Sequence, residues 1–226
     1  ITAASTLLAK AKRPAAVIGS NAMRMTNPGL LRDFVEKHNI PFATTTMAKG
    51  MIDEDHPLSI GCIERGRRQI QRAFLRDADL VIGLGYDTIE VEFEAWIADA
   101  PLLQIDIEKV DVAASVEVAG EVTGNLDDSL SRLIAAAPSG SERAEGDIAA
   151  HRKKFQVALR PETAEFSPHQ AIDAVRAALP HDGVLAFDVG AHTHQISGQW
   201  TAHAPRNYLI TNGWSSMGFG LPAAIA

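Results

Sequence analysis

The stretch Phe187-Asp188-Val189-Gly190-Ala191-His192 runs from apolar residues into a glycine and a histidine. Backbone N–H groups left open just beyond such a strand can meet a phosphate. Asn212-Gly213-Trp214-Ser215-Ser216-Met217-Gly218-Phe219-Gly220 then sets three glycines around an expected strand-to-helix junction. Residues without a Cβ let a backbone approach a flat ligand closely, although spacing alone does not name that ligand. His192 and His194 form an H-x-H pair that would share one face of a strand, with His203 further along. Zinc would need a third ligand and a supporting shell, and no neighbouring residues supply them, so a metal held by protein alone is disfavoured. A Ser-His-Asp hydrolase is disfavoured too, because no G-x-S-x-G elbow occurs.

Three further strand ends carry groups suited to a nucleotide. Gly19 and Ser20 close the first apolar run, but a dinucleotide fingerprint would need two more spaced glycines there, and Ser20 and Asn21 stand instead. Gly85-Tyr86-Asp87 with Glu90 follows the most apolar run of the chain; these acids could hold a ribose hydroxyl, cap a helix or face water. Asp106, in Gln104-Ile105-Asp106-Ile107-Glu108, could accept from a ribose or stand at a solvated strand end. Gly19, Ser20, Gly85, Asp87 and Asp106 are therefore the candidate nucleotide residues.

The elements that must position these groups read as alternating strands and helices, the pattern of a parallel sheet. Strands are expected at Ala15–Gly19, Pro41–Thr46, Leu80–Gly85, Leu102–Ile107 and, on a weaker pattern, Val116–Val118. Helices are expected at Ile1–Arg13, Pro28–His38, Arg67–Asp77 and Leu126–Ala136, with Asn27 as N-cap and Pro28 at the first helical position. From Pro138 to Glu165 the strand pattern lapses into a polar stretch with a helix near Ile148–Leu159. Ser167-Pro168-His169-Gln170 then reads as a capping box opening a helix through Leu179. Strands at Val184–Val189 and Tyr208–Thr211 follow. The fold class is α/β: a Rossmann-like parallel sheet flanked by helices over residues 1–137, a linker with a helix over 138–166, and a partial second α/β domain over 167–226.

Composition excludes several functions. The 226 residues carry Lys+Arg 21 against Asp+Glu 28, a net charge of −7, so no positive field draws the protein to nucleic acid or anionic lipid. Cys62 is the only cysteine, which rules out an internal disulfide framework and a cysteine zinc cage. No apolar run of about 18 residues occurs, no signal-peptide pattern opens the chain, and cytoplasm is the expected compartment. The chain reads as a piece of something longer, since it begins without Met and stops in the first turns of a helix at Leu221–Ala226.

Leu7–Leu133 resembles the central domain of thiamine diphosphate enzymes of the acetolactate synthase group. The matching phrases are Asn39-Ile40-Pro41, Thr44-Thr45-Thr46-Met47-Ala48-Lys49-Gly50, Glu54-Asp55-His56-Pro57-Leu58, Asp79-Leu80-Val81-Ile82-Gly83-Leu84-Gly85 and Ile105-Asp106-Ile107. Phe187–Ala226 resembles the start of the diphosphate-binding domain in the same group, most specifically through Ser216-Met217-Gly218-Phe219-Gly220-Leu221-Pro222-Ala223-Ala224.

The resemblance implies carbon–carbon chemistry on a small 2-oxo acid, most like acetolactate formation from pyruvate, in a homodimer or homotetramer. It puts Val189, Gly190, Ala191 and His192 near the diphosphate, the Ser215 backbone on the aminopyrimidine, and Met217 as the apolar wedge that bends the cofactor; an ordinary core methionine is the alternative. Ala191 departs from the family's usual Gln, and Trp214-Ser215 from a Leu-Gly pair, which leaves the donor substrate open. Gly85-Tyr86-Asp87 with Glu90 is similar to the flavin-independent members, so bound FAD is disfavoured, with an ADP-like or empty pocket still open. The resemblance also implies that the Mg²⁺ motif, Gly-Asp-Gly with a later Asn, lies beyond Ala226 and the activating Glu before Ile1. No catalytic residue or metal ligand is then expected within the chain, which should be inactive alone. The alternatives are a sister thiamine activity (a simple 2-oxo acid decarboxylase, an aldehyde lyase or a sulfoacetaldehyde acetyltransferase) or, from another class, a non-catalytic nucleotide-binding or structural module.

Overall fold

The computed structural model describes residues 1–91, 97, 99–136 and 138–226. Among these, α1 (Thr2–Lys10) precedes β1 (Pro14–Ile18), and α2 (Gly29–His38) leads into β2 (Phe42–Thr44) and β3 (Ser59–Cys62). Next come α3 (Arg68–Arg76), β4 (Leu80–Leu84), β5 (Leu102–Asp106), β6 (Val118–Thr123) and α4 (Leu126–Ala136). The remainder comprises α5 (Glu145–Leu159), α6 (Pro168–Ala178), β7 (Leu185–Ala186), α7 (Ala191–Gln199), β8 (Tyr208–Leu209) and α8 (Gly220–Ile225).

The first six strands form one parallel sheet in the order β3-β2-β1-β4-β5-β6. This is the doubly wound order, with the chain reversing direction across the sheet between β1 and β4. The Rossmann-like α/β class expected from the sequence is the one observed. Every residue of β1, β4 and β5 is buried because helices cover both faces, which is why these strands read as unbroken apolar runs. Helices α1, α2 and α4 pack together, while α5 packs with α3 and β3. In α2 the buried set Leu31, Phe34, Val35 and His38 follows the helical repeat, and Asn39 ends it at φ 49°.

Several boundaries differ from expectation, for identifiable reasons. The strand expected at Val116–Val118 begins at Val118 and runs to Thr123; it is the sheet's edge, only partly covered, so its apolar signal is thin. Strand β3 was not expected, because Ser59-Ile60-Gly61-Cys62 is short and interrupted by a glycine, and it forms the opposite edge. Pro28, not Asn27, is the cap of α2, which starts at Gly29; Asn27 instead takes a backbone contact, its N–H donating to Asp127 at 2.6 Å. The Ser167 box holds, with the Ser167 N–H donating to Gln170 Oε1 at 2.8 Å.

In the segment expected as a linker, α5 buries Ile148, Phe155 and Leu159 and packs against α3, β3 and α7. The residue at which the first unit was expected to end, 137, lies outside the described residues. Beyond it, β7 and β8 pair in parallel but span only two residues each, shorter than the expected runs. Their small cluster gathers Ile172, Phe187, Trp200, Ala202 and Tyr208. This second unit docks on the first through Glu54. Its N–H donates to the Ala202 carbonyl at 3.1 Å, and its Oε2 accepts the Ala202 N–H at 2.8 Å. The same carboxylate pairs with Lys49 at 2.8 Å and accepts from the Thr44 hydroxyl at 2.9 Å, all of it buried. Each oxygen of the Glu54 carboxylate accepts two hydrogen bonds, the satisfaction that a buried ion pair requires.

Candidate functional site

A cavity of about 450 Å³ lies where the C-terminal ends of the large sheet face the second unit. Thr46 and Glu64, just past β2 and β3, and Glu90 line it from the first unit. Val189 and Gly190 after β7, and Thr211, Gly213 and Ser215 after β8, line it from the second. Carboxyl ends of parallel strands are where open α/β sheets bind ligands, because helix N-termini and loops converge there.

Of the six residues assigned to cofactor by resemblance, Val189, Gly190 and Ser215 line this cavity. Gly190 is the N-cap of α7 at φ 154°, and Ala191 and His192 begin that helix. The glycine N–H donates to Thr193 Oγ1 at 3.1 Å. Ser215 takes the left-handed conformation at φ 49°, between Gly213 at φ 81° and Gly218 at φ 88°, neither of which has an atom within 4 Å of where a Cβ would stand. The turn is thus held open by Asp188, whose carboxylate accepts the N–H groups of Val189 at 2.8 Å and Gly218 at 2.8 Å. These bonds, the Val189 N–H foremost, hold the Asp188 carboxyl below its ordinary range. Met217 is 86% exposed and Trp214 97% in this chain. Thr211 Oγ1, buried on the cavity wall, has no hydrogen-bond partner among the described residues, and a polar ligand group would satisfy it.

The H-x-H reading requires correction. His192 and His194 sit in the first turn of α7, not on a strand, because Gly190 ends the extended run. Helical residues two apart face different directions. The His192 ring reaches back to the Asp188 carbonyl at 2.9 Å, while His194 Nδ1 meets Glu64 Oε1 across the cavity at 2.8 Å. Sequence gave no signal for that second pair, whose members are 130 positions apart.

The candidate nucleotide residues converge at the switch point between β1 and β4, and protein groups fill the place. A Cβ on Gly19 would stand 2.6 Å from the Gly85 carbonyl oxygen, and one on Gly85 2.4 Å from the Ala22 nitrogen, so the two turns touch backbone to backbone. The short 3₁₀ helix Ser20–Arg24 begins there, and Glu90 Oε1 accepts the Ser20 N–H at 2.7 Å while Oε2 accepts the Thr45 hydroxyl at 2.7 Å. A carboxylate therefore sits where a pyrophosphate oxygen would. Burial pushes the Glu90 carboxyl up, and the bonds from Ser20 and Thr45 oppose that. Asp106 is buried and accepts from the Ile107 N–H at 2.6 Å, Gln104 Nε2 at 2.9 Å and Asn21 Nδ2 at 3.1 Å. Burial likewise raises its carboxyl. Asp87 is half-buried and accepts the Ile89 N–H at 3.0 Å. Among the described residues, no helix is long and apolar enough to cross a membrane.

Residues 1–133 match the family model described as thiamine pyrophosphate enzyme, central domain. The large subunit of acetolactate synthase isozyme 1 from Escherichia coli (strain K12) is 29% identical over 227 residues, covering 98% of this chain and 40% of that protein. Oxalyl-CoA decarboxylase from the same organism is 28% identical over 239 residues, covering 100% of this chain and 41% of that protein. The acetolactate synthase large subunit of Lactococcus lactis is 25% identical over 225 residues, covering 97% of the chain and 39% of that protein. The chain spans about two fifths of the length of these relatives.

Proposed function

Because the chain belongs to the thiamine pyrophosphate enzymes through its central domain, we propose that the whole protein decarboxylates a 2-oxo acid, most like pyruvate, and joins the remaining fragment to a second carbonyl. The chemistry that thiamine diphosphate supplies when bound is attack on a carbonyl and storage of the electron pair left as CO₂ departs. The residues present fit the cofactor: an open turn with two positive-φ glycines beside a cavity wall that carries the Thr211 hydroxyl, unpartnered among the described residues.

In this reading the Ala191 and His192 amides at the start of α7, beside the Gly190 cap, face the diphosphate, where the helix dipole adds to their attraction for an anion. The Ser215 backbone, in a left-handed turn on the cavity wall, orients the aminopyrimidine. Met217 supplies an apolar surface against the rings. Ala191 offers no side-chain hydrogen bond to the diphosphate, so orientation there rests on backbone donors. No Gly-Asp-Gly phrase occurs in the chain; Mg²⁺ with the diphosphate, a homo-oligomer and a cytoplasmic location are proposed for the whole protein only. FAD is not proposed, because the Glu90 carboxylate stands at the helix N-terminus that a pyrophosphate would use.

The similarity that runs the length of the chain to acetolactate synthase large subunits supports this reading most directly. The near-equal identity to oxalyl-CoA decarboxylase favours a second: decarboxylation of a 2-oxo acyl thioester. Product analysis of the whole protein with thiamine diphosphate and Mg²⁺ separates them. Acetolactate from pyruvate is the expected result; formyl-CoA from oxalyl-CoA would select the second reading, and turnover of neither would overturn both. The chain alone should yield no acetolactate.

A further inference from the structure

Asp53, His181 and His203 come from three separate loops, yet each offers a ligand atom within 4.8 Å of the others. Asp53 lies in the loop between β2 and β3, His181 just past α6, and His203 between α7 and β8. The geometry points to a divalent transition-metal site of the zinc type that ties the β2–β3 loop to the second unit.

The donor set selects the metal class. Two imidazoles with one or two carboxylates suit Zn²⁺ and its neighbours, whereas Mg²⁺ and Ca²⁺ take oxygen ligands. His203 Nδ1 stands 3.1 Å from Asp53 Oδ1 and 3.7 Å from Asp55 Oδ2. A zinc ion roughly 2.0–2.1 Å from each ligand holds neighbouring ligand atoms roughly 3.4 Å apart in a tetrahedron. The His203–Asp53 pair therefore already has close to the spacing of two metal ligands, and Asp55 is near that spacing. His181 lies face to face with His203, ring centroids 3.8 Å apart and planes 16° from parallel. Being exposed, it can tilt to aim its nitrogen at the same ion.

A supporting shell is also present, as metal ligands require. The Asp55 N–H donates to Asp53 Oδ1 at 2.9 Å, and the neighbouring Glu54–Ala202 backbone bond fixes the spacing of the two loops. The His203 side chain is only 9% exposed, so it has little rotamer freedom left to lose on binding an ion.

The test is titration of the chain with Co²⁺, followed through the visible bands of four-coordinate cobalt, and then competition with Zn²⁺. One equivalent should bind, and His181→Asn, His203→Asn and Asp53→Asn should each weaken it at least tenfold. The double variant His192→Asn/His194→Asn should bind as the parent does. His181→Asn alters an exposed ring and should keep the metal-free melting temperature, which separates loss of a ligand from loss of fold. Absence of saturable binding in the parent would overturn the proposal. So would retention of affinity in His181→Asn and Asp53→Asn, or loss of affinity in the His192/His194 double variant alone.

Discussion

His38 shows what burial does to one titratable ring. It is 2% exposed, lies 4.8 Å from the Phe34 ring, and neither ring nitrogen has a hydrogen-bond partner among the described residues. Burial, with the Lys37 charge adding to it, pushes its pKa down to about 4 from 6.5. Above about pH 6.5 the ring is neutral folded or unfolded. Between there and about pH 4 the unfolded chain takes a proton that the folded chain refuses, so stability falls as pH falls. The full loss is on the order of 3 kcal/mol. His151, also lowered to about 4 by burial, adds to the same window. His38→Leu should therefore gain on the parent as pH drops: the difference in urea midpoints should widen from pH 7 to pH 4.5. A constant difference would show a ring that titrates normally.

Two glycines of the same type have opposite duties at the scale of elements. Gly85 ends β4 at φ 59°, with Ala22 backbone where its Cβ would be. Gly85→Ala must take a left-handed conformation at roughly 1–2 kcal/mol and also push two turns apart. Gly146, in the first turn of α5, meets nothing within 4 Å, so Gly146→Ala should gain a few tenths to about 1 kcal/mol. Thermal melts should then show Gly85→Ala falling by several degrees and Gly146→Ala level or slightly higher; equal shifts would mean the switch-point contact carries no stability. The Gly83-Leu84-Gly85 phrase was legible as a strand end. That its glycine packs against the backbone of the β1 turn depends on residues over 60 positions away.

Across the molecule, apolar burial is uneven. The large sheet's core includes three fully covered strands with helices on both faces, whereas the second unit gathers a small cluster around two-residue strands. It also leaves Trp214, Met217, Leu221 and Ile225 exposed. Amide exchange should accordingly be slowest in β1, β4 and β5 and faster throughout residues 187–226; equal protection would mean that docking through Glu54 makes the two units one cooperative body. The parallel α/β class, the covered strands β1, β4 and β5 and the glycine-rich junction at 212–220 were readable from the sequence because they rest on local patterns: apolar runs, helical repeats and turn residues. The Glu90 carboxylate on the Ser20 amide, the Glu64–His194 pair and the meeting of Asp53, His181 and His203 were not. Each joins side chains from distant loops, whose positions follow from how the sheet and the second unit pack. Periodicity fixes which face of an element is buried, but only the packed fold decides which loops end up within hydrogen-bonding reach.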